Sequence, residues 1–404
     1  MPHGTLSQYS CPACGGSSLQ PFYRAMRIPV HSVINIPTCE EAKAFPRGDL
    51  ELAFCSECGF IFNRLFDPAN MKYSTQCEET QGFSGTFRSW HHRLAESLAQ
   101  RYDLRNKLVV EIGCGKGEFL TDLCDLAGCR GLGFDPAYVP ARNPAAGSHV
   151  QFIQDFYSEQ YASYEADLIC CKMTLEHIDQ PFQFLRALRD AIGTRAGVNI
   201  FFQLPDVRRV LSETAFWDVY YEHCSYFSLG SLARTFRRAG FGVVDLSSDY
   251  GGQYIMIHAR SEPSPEGTHL PEEDDISELA DAVAWFEQSA VERIQAWREE
   301  LAYLHREGRR IVLWGSGSKG VSFLSATGAG AAVEYVVDIN PYRQGTYMAG
   351  HGGLVVAPAF LSDYQPDMVL VMNELYLEEI RKDLAGLGVD PELRAICGKA
   401  AAAA

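Results

Sequence analysis

Val109-Val110-Glu111-Ile112-Gly113-Cys114-Gly115-Lys116-Gly117-Glu118-Phe119-Leu120 is the stretch whose reading decides the fold. An apolar run with the composition of a buried parallel strand feeds into a glycine-rich turn, and an amphipathic helix follows. Three glycines at alternate positions let the backbone approach a ligand without Cβ interference. The next strand, 130–134, runs into Asp135, about two dozen residues after Glu111. In that βαβ arrangement a carboxylate hydrogen-bonds the ribose hydroxyls of an adenosine cofactor.

The turn is E-x-G-x-G-x-G rather than the dinucleotide pattern G-x-G-x-x-G. It resembles the first motif of class I S-adenosylmethionine (SAM) methyltransferases. That resemblance implies Glu111, Gly113, Gly115 and Gly117 beside the methionine end of SAM and Asp135 at the ribose. It puts Asp155 and Phe156, after the strand 150–153, against the adenine.

Outward from this motif, 404 residues suffice for two or three domains, and 47% hydrophobic with 21% charged residues is ordinary globular composition. The net charge of −16 argues against a nucleic-acid partner. No apolar run approaches a membrane span and no leader pattern opens the chain, so a cytoplasmic protein without a membrane partner is expected. Thirteen cysteines suit a reducing compartment better than a disulfide framework.

Four of them form Cys11-Pro-Ala-Cys14 and Cys55-Ser-Glu-Cys58, each pair followed by a glycine (Gly15, Gly59) that a knuckle turn needs. Paired thiolate knuckles suit a closed tetrahedral Zn²⁺, with no open position for catalysis. Such a metal contributes folding energy to a module too small to stabilise itself.

The chain divides into a zinc-binding module (1–67), a SAM-binding α/β domain (68–262) and a C-terminal Rossmann-like region introduced by a long helix (263–398). Residues 399–404 read as an appended alanine-rich tail. In the second domain a helix is expected at 86–101, with strands at 108–112, 130–134, 150–153, 166–171, 197–203, 242–247 and 254–259. The acidic, Pro-containing stretch 261–275 reads as an exposed linker with solvated charges. A helix over 276–307 then leads to a second βαβ signal. Its turn, Gly315-Ser316-Gly317-Ser318-Lys319-Gly320, fits G-x-G-x-x-G, and Asp338 ends the next strand. A further strand is expected at 368–372.

Acid/base side chains crowd two loops on the cofactor side of the central sheet. One carries Glu176-His177; the other carries Tyr220-Tyr221-Glu222-His223 and runs on to Tyr226-Phe227-Ser228. They supply a base near neutral pH, phenols and a carboxylate. The four-cysteine module, this loop and Tyr250-Gly251-Gly252 resemble the SAM-dependent C-methyltransferases of nucleotide-activated keto-deoxysugars, over nearly the whole chain. That family has an H-G-G turn where this chain has Tyr250. The resemblance implies an α/β fold: a class I methyltransferase core between a four-cysteine zinc module and a second Rossmann-like domain. It implies SAM and a structural Zn²⁺, a small nucleotide-sugar (dTDP-type) substrate, and methylation of carbon through a base-generated enolate. His223 is then the base, Tyr220 and Glu222 orient it or polarise the carbonyl, His177 lies near the reacting carbon and Tyr73 closes over the sugar. Tyr221, Gly251, Gly252, Gly315, Gly317 and Lys319 are the candidate substrate contacts, with Lys319 at a helix start where a phosphate would sit.

Three alternatives stay open at this level: a SAM-dependent C- or O-methyltransferase of a non-sugar natural product, an NAD-dependent oxidoreductase using the turn at 315–320, and a non-catalytic zinc-bearing scaffold. The sequence leaves open the sugar, its carrier, the stereochemistry and the oligomeric state.

Overall fold

The computed structural model describes residues 10–143, 147–265 and 267–397; the tail 399–404 lies outside them. The chain first lays down β1 (Leu19–Pro29), β2 (Arg47–Cys55) and β3 (Ile61–Asn63). The central region supplies β4 (Leu108–Ile112), β5 (Arg130–Phe134), β6 (Val150–Ile153), β7 (Leu168–Lys172) and β8 (Asn199–Pro205). It continues with the two-residue β9 (Ser225–Tyr226), β10 (Gly242–Asp249) and β11 (Tyr254–Arg260). The last region holds β12 (Ile311–Trp314), β13 (Val333–Val337), β14 (Leu354–Val356), β15 (Met368–Val371) and β16 (Glu392–Ala395).

Three sheets result, ordered β1-β2-β3-β9, β10-β11-β8-β7-β4-β5-β6 and β14-β13-β12-β15-β16. In the central sheet β4 to β8 are parallel, while β11 runs antiparallel to β8 and β10 antiparallel to β11. The order reverses at β4, which pairs with β5 on one side and β7 on the other. Ligands bind in such a crevice, beyond the carboxyl ends of the strands. The C-terminal sheet is wholly parallel and has the same kind of switch point at β12, between β13 and β15.

The helix Gly85–Tyr102 forms where the spacing of Trp90, Leu94, Leu98 and Tyr102 places one buried face against the central sheet. Ser84 caps it by accepting from the Phe87 amide, and it stops at Asp103 in a left-handed conformation. A carboxylate from the C-terminal region, Glu379, accepts from Ser84 Oγ and from the amides of Gly85 and Thr86 at the same helix end.

Two expectations change. The N-terminal module is not a self-contained knuckle. Its sheet is completed by β9 from the central region, and its strand β1 packs against the helix Ile276–Arg306, where Phe286 meets the rings of Phe22 and Tyr23. That helix buries Leu279, Val283, Phe286, Ala290, Trp297, Leu301 and Leu304 in a core shared with the C-terminal sheet. The cysteine knuckles in turn join the core of the central sheet. The acidic stretch 261–275 is not a solvated linker throughout: Glu273 and Asp275 are buried and ion-paired with Arg237 and Arg234. Buried carboxylates need such partners, and both arginines come from one face of the helix Leu229–Ala239.

Candidate active site

The first glycine turn leaves β4 with Gly113, Gly115 and Gly117 all at positive φ. A Cβ at Gly113 would lie 2.0 Å from Thr174 Oγ1, and one at Gly117 would lie 2.5 Å from the Phe152 ring. Asp135 is fixed by the turn it faces: Oδ2 accepts from the Gly115 amide (2.8 Å) and Oδ1 from the Ala137 amide (2.7 Å). A carboxylate oxygen has two lone pairs, so each oxygen keeps one for a ligand hydroxyl. Glu111 is buried with Oε2 lacking any hydrogen-bond partner among the described residues, and burial pushes its carboxyl up to about 7. An orphaned acceptor at the foot of a cradle without Cβ atoms fits the ammonium of an amino-acid ligand. Phe156 stands 60% exposed after β6, an apolar ring with an open face. Asp155 accepts instead from the Phe156 amide, Tyr161 Oη and Gln160.

A cavity of about 270 Å³ runs from the loop after β7 to the second glycine turn; Glu111, Gly113, Gly115, Gly117 and Asp135 are not among its lining residues. Met173, Glu176, Tyr220 and His223 line one end; Gly315, Gly317, Lys319, Asn340 and Arg343 line the other. At the first end, Tyr220 Oη is 3.0 Å from His223 Nε2 and Tyr73 Oη is 3.1 Å from His177 Nδ1. The two imidazoles meet edge to face, 4.8 Å between centroids. Burial, then the neighbouring His177 and Lys319, hold His223 well below the ordinary imidazole range, so it is neutral. His223 Nδ1 makes no hydrogen bond among the described residues.

Glu222 departs from its expected place beside His223. His31 Nδ1 donates to its Oε1 (2.7 Å), and the amide and hydroxyl of Ser32 donate to its Oε2. The Lys72 amide donates to His31 Nε2 (2.9 Å), which places the ring proton on Nδ1, facing the carboxylate. Burial raises the Glu222 carboxyl, but the His31 and Ser32 hydrogen bonds outweigh it and hold it below its ordinary value. Tyr221 also departs. Its ring fills the space over Gly48, where a Cβ would lie 2.3 Å away, and its hydroxyl accepts from the Asp67 amide and from Asn70. The chain makes a turn over 220–223, with the His223 amide donating to the Tyr220 carbonyl; the two ends of the turn, Tyr220 and His223, line the cavity and the two central residues do not.

At the second end the geometry also differs from expectation. Asp338 accepts from the Ser316 amide and hydroxyl and from the Asn340 amide, which locks the turn and leaves little for a ribose. Lys319 lies across the cavity with Nζ 3.0 Å from Asp218 and 3.2 Å from Gln253 Oε1, rather than free for a phosphate. Arg343 is buried and bonded to Ser316 and to the Glu78 carbonyl. Gly251 and Gly252 form the β10–β11 turn at positive φ, outside the cavity lining. Tyr250, where the resembling family has histidine, donates to Tyr376 Oη (2.7 Å).

Sequence reasoning missed His31, Ser32, Asp218, Gln253, Asn340 and Arg343. None sits in a local motif; His31 meets a partner 191 positions away. The four cysteine thiols are brought together, with Cys11–Cys58 and Cys14–Cys55 each 3.6 Å apart and all four Sγ atoms within 4.8 Å of one another. Gly15 and Gly59 take positive φ and close each knuckle onto Cys11 and Cys55.

A glycine turn that leaves a switch-point strand and faces an aspartate, together with a second sheet built on the same plan, is a Rossmann-like arrangement. Residues 84–246 match the methyltransferase domain family and residues 251–389 the C-methyltransferase C-terminal domain family. These two matches, in this order, make the chain a SAM-dependent methyltransferase. It is 26% identical over 307 residues to C-methyltransferase NovU of Streptomyces niveus, covering 71% of each chain. A SAM-dependent methyltransferase from Aquifex aeolicus aligns with 43% of this chain and 97% of its own (15% identical, TM-score 0.33). One from Clostridium acetobutylicum aligns with 44% and 92% (10% identical, TM-score 0.35). Among the described residues no helix is long and apolar enough to cross a membrane.

Proposed function

We propose that this enzyme methylates the carbon next to the keto group of a nucleotide-activated deoxysugar. The observation that carries the reading is the single cavity with Tyr220 and His223 at one end and the turn at 315–320 at the other. It matches an acceptor with a reactive sugar at one end and a nucleotide at the other. The C-terminal family match and the resemblance of the loop 220–228 support the same reading.

SAM, when bound, supplies an electrophilic methyl group. In this reading Gly113, Gly115 and Gly117 admit its backbone contacts, Glu111 takes its ammonium, Asp135 its ribose and Phe156 its adenine, with Asp155 holding the Phe156 loop. Carbon becomes nucleophilic only after losing a proton, and His223 Nδ1 has the free lone pair when Nε2 donates to Tyr220. The phenols of Tyr73 and Tyr220, whose pKa values burial raises well above the ordinary range, stay protonated and can donate to a developing enolate oxygen. His177 is held by Tyr73 beside the reacting carbon. Gly315 and Gly317 line the nucleotide end. The division at 67 and 262 belongs to this reading, as does Zn²⁺ in the cysteine cluster. The 3.6 Å sulfur pairs are near the roughly 3.8 Å edge of a tetrahedron with Zn–S of about 2.3 Å.

The test is incubation with methyl-labelled SAM and dTDP- or UDP-linked 4-keto-deoxysugars, with the product read by NMR. A labelled C-methyl next to the carbonyl is expected. Transfer to oxygen, or to a non-sugar acceptor alone, overturns the reading. His223→Ala should remove transfer and leave the affinity for S-adenosylhomocysteine within about twofold; unchanged turnover would clear His223 of the base role.

A further inference from the structure

We infer that Glu176 is the proton-accepting partner of His223, a positioning residue that relieves the imidazole of the proton it takes from the substrate. The inference rests on the carbon-acid reading above. It starts from a vacancy in the expected machinery. Glu222, the carboxylate nearest His223 in sequence, is saturated by His31 and Ser32 on the far side of the loop.

Glu176 is the reverse case. It is 2% exposed, it lines the cavity, and neither Oε1 nor Oε2 has a hydrogen-bond partner among the described residues. A carboxylate oxygen and ring nitrogens of His177 and His223 lie within 4.8 Å of one another. A small side-chain movement or one water closes that gap. A carboxyl kept only for packing would satisfy its oxygens, because leaving a buried acceptor unpaired costs about 1–3 kcal/mol.

The surroundings give this pair opposite tendencies. Burial pushes the Glu176 carboxyl up to about 8, whereas burial holds the His223 imidazole well below its ordinary range. A proton on His223 is therefore better placed on Glu176, the pattern in which environments push two groups apart and assign their roles. The other titratable groups facing Glu176 are Cys171 on β7, His177 on its own turn, Tyr220 and Cys224, Tyr73 beside His177, and Tyr254 in the cavity lining. Burial raises the pKa values of these thiols and phenols, which keeps them neutral and unable to take the proton. His177 is held down by burial, and Lys319 is paired with Asp218.

The step balances. The substrate C–H bond breaks, its electron pair stays on carbon as the enolate, and the proton bonds to His223. The imidazolium then releases a ring proton to the Glu176 carboxylate. This leaves a neutral imidazole, a neutral carboxyl and one negative charge on the enolate. The step needs Glu176 ionised at the outset, so kcat should rise with pH through about 8.

The test uses full-length protein, Glu176→Gln and Glu176→Asp. In the absence of acceptor, the ¹⁵N resonances of His223 should show an inflection near pH 8 that Glu176→Gln abolishes. With a keto-sugar acceptor, Glu176→Gln should lower kcat about 10- to 100-fold and remove its rise with pH. KM and the affinity for S-adenosylhomocysteine should stay within about twofold, and Glu176→Asp should regain part of kcat. An unchanged inflection, or a kcat profile that Glu176→Gln leaves intact, overturns the inference. So does a divalent ion bound beyond the cysteine site and lost in Glu176→Gln, which would make Glu176, His177 and His223 a metal site. The wild-type inflection needs no variant to fold. An inflection abolished by Glu176→Gln, together with no turnover of any keto-sugar, supports the Glu176–His223 coupling and refutes the sugar reading alone.

Discussion

The two glycine-rich turns share a plan and differ in what their acids do. Both follow a switch-point strand flanked by parallel neighbours, both open a helix of ten residues, and both face an aspartate at the end of the next strand. Asp135 receives two backbone amides and keeps open acceptor sites. Asp338 receives the Ser316 amide, the Ser316 hydroxyl and the Asn340 amide, with Arg343 4.0 Å away. The glycines diverge likewise. Gly117 and Gly113 hold left-handed conformations, whereas Gly320 is needed because a Cβ there would meet the Gly315 carbonyl at 2.5 Å. The fingerprint read from residue types is therefore the less functional of the two for a nucleotide ribose. The acid's own hydrogen-bond partners separate a ligand site from a packing device.

That contrast can be broken directly. Asp135→Ala should weaken SAM binding by roughly 10- to 100-fold, the loss of a charged acceptor worth about 1.5–3 kcal/mol. Asp338→Ala should leave SAM affinity unchanged and lower stability by about 1–3 kcal/mol through the unpaired Ser316 amide. Calorimetric titration and urea unfolding of both variants check the pair; equal loss of SAM binding in both would erase the distinction.

Next in size are the glycines. Gly113→Ala combines a left-handed φ with a Cβ 2.0 Å from Thr174 Oγ1, and should reduce both stability and SAM affinity. Gly320→Ala presses on the backbone of its own turn and should cost stability, about 1–3 kcal/mol, while SAM affinity holds. Thermal melts with and without S-adenosylhomocysteine separate the two effects.

Metal removal sharpens the comparison from outside both turns. A chelator, or Cys11→Ser with Cys58→Ser, should lower Tm and loosen the sheet that β9 completes. Because β9 follows His223 by two residues, kcat should fall more than SAM affinity. Equal loss of both would mean global unfolding instead.

The smallest expected effect is a pH slope. Burial raises the Glu111 carboxyl from 4.5 to about 7 in the folded chain, so the native state binds the extra proton between those values. Stability should then fall as pH rises from about 4.5 to about 7. Glu111→Gln should flatten that part of the profile, as read from urea midpoints across the range; an unaltered slope would remove Glu111 as its source.

The sheets were legible in the sequence because buried parallel strands are short apolar runs between turn residues. Strands at 108–112, 130–134 and 150–153 coincide with β4, β5 and β6. Strands expected at 166–171 and 197–203 begin about two residues early, because the apolar run starts before the ladder does. The long helix was legible from its Ala and Leu content with Trp285, Phe286 and Trp297, of which Phe286 and Trp297 are buried and Trp285 is exposed. The site was legible only in part. Tyr220, His223 and His177 announced themselves by type and clustering, whereas Tyr73 came only from the family resemblance. The carboxylates did not, since Glu222 and Glu176 look alike in sequence, and one is paired by residues about 190 positions away while the side chain of the other is paired by none among the described residues. Tyr221 misled because 220–223 is a tight turn, whose central residues face away from the cavity that its two ends line. Glu273 and Asp275 misled because a charge run signals a solvated face until arginines on another helix bury it.

The central claim is that the first turn holds SAM and the second faces the acceptor. The most direct measurement is calorimetric titration of the protein with S-adenosylhomocysteine, then with dTDP or UDP, and separately with NAD. The account predicts one S-adenosylhomocysteine per chain, a nucleoside diphosphate binding alongside it without competition, and no NAD binding. Tight NAD binding that survives Asp135→Ala, or displacement of S-adenosylhomocysteine by the nucleoside diphosphate, would contradict it.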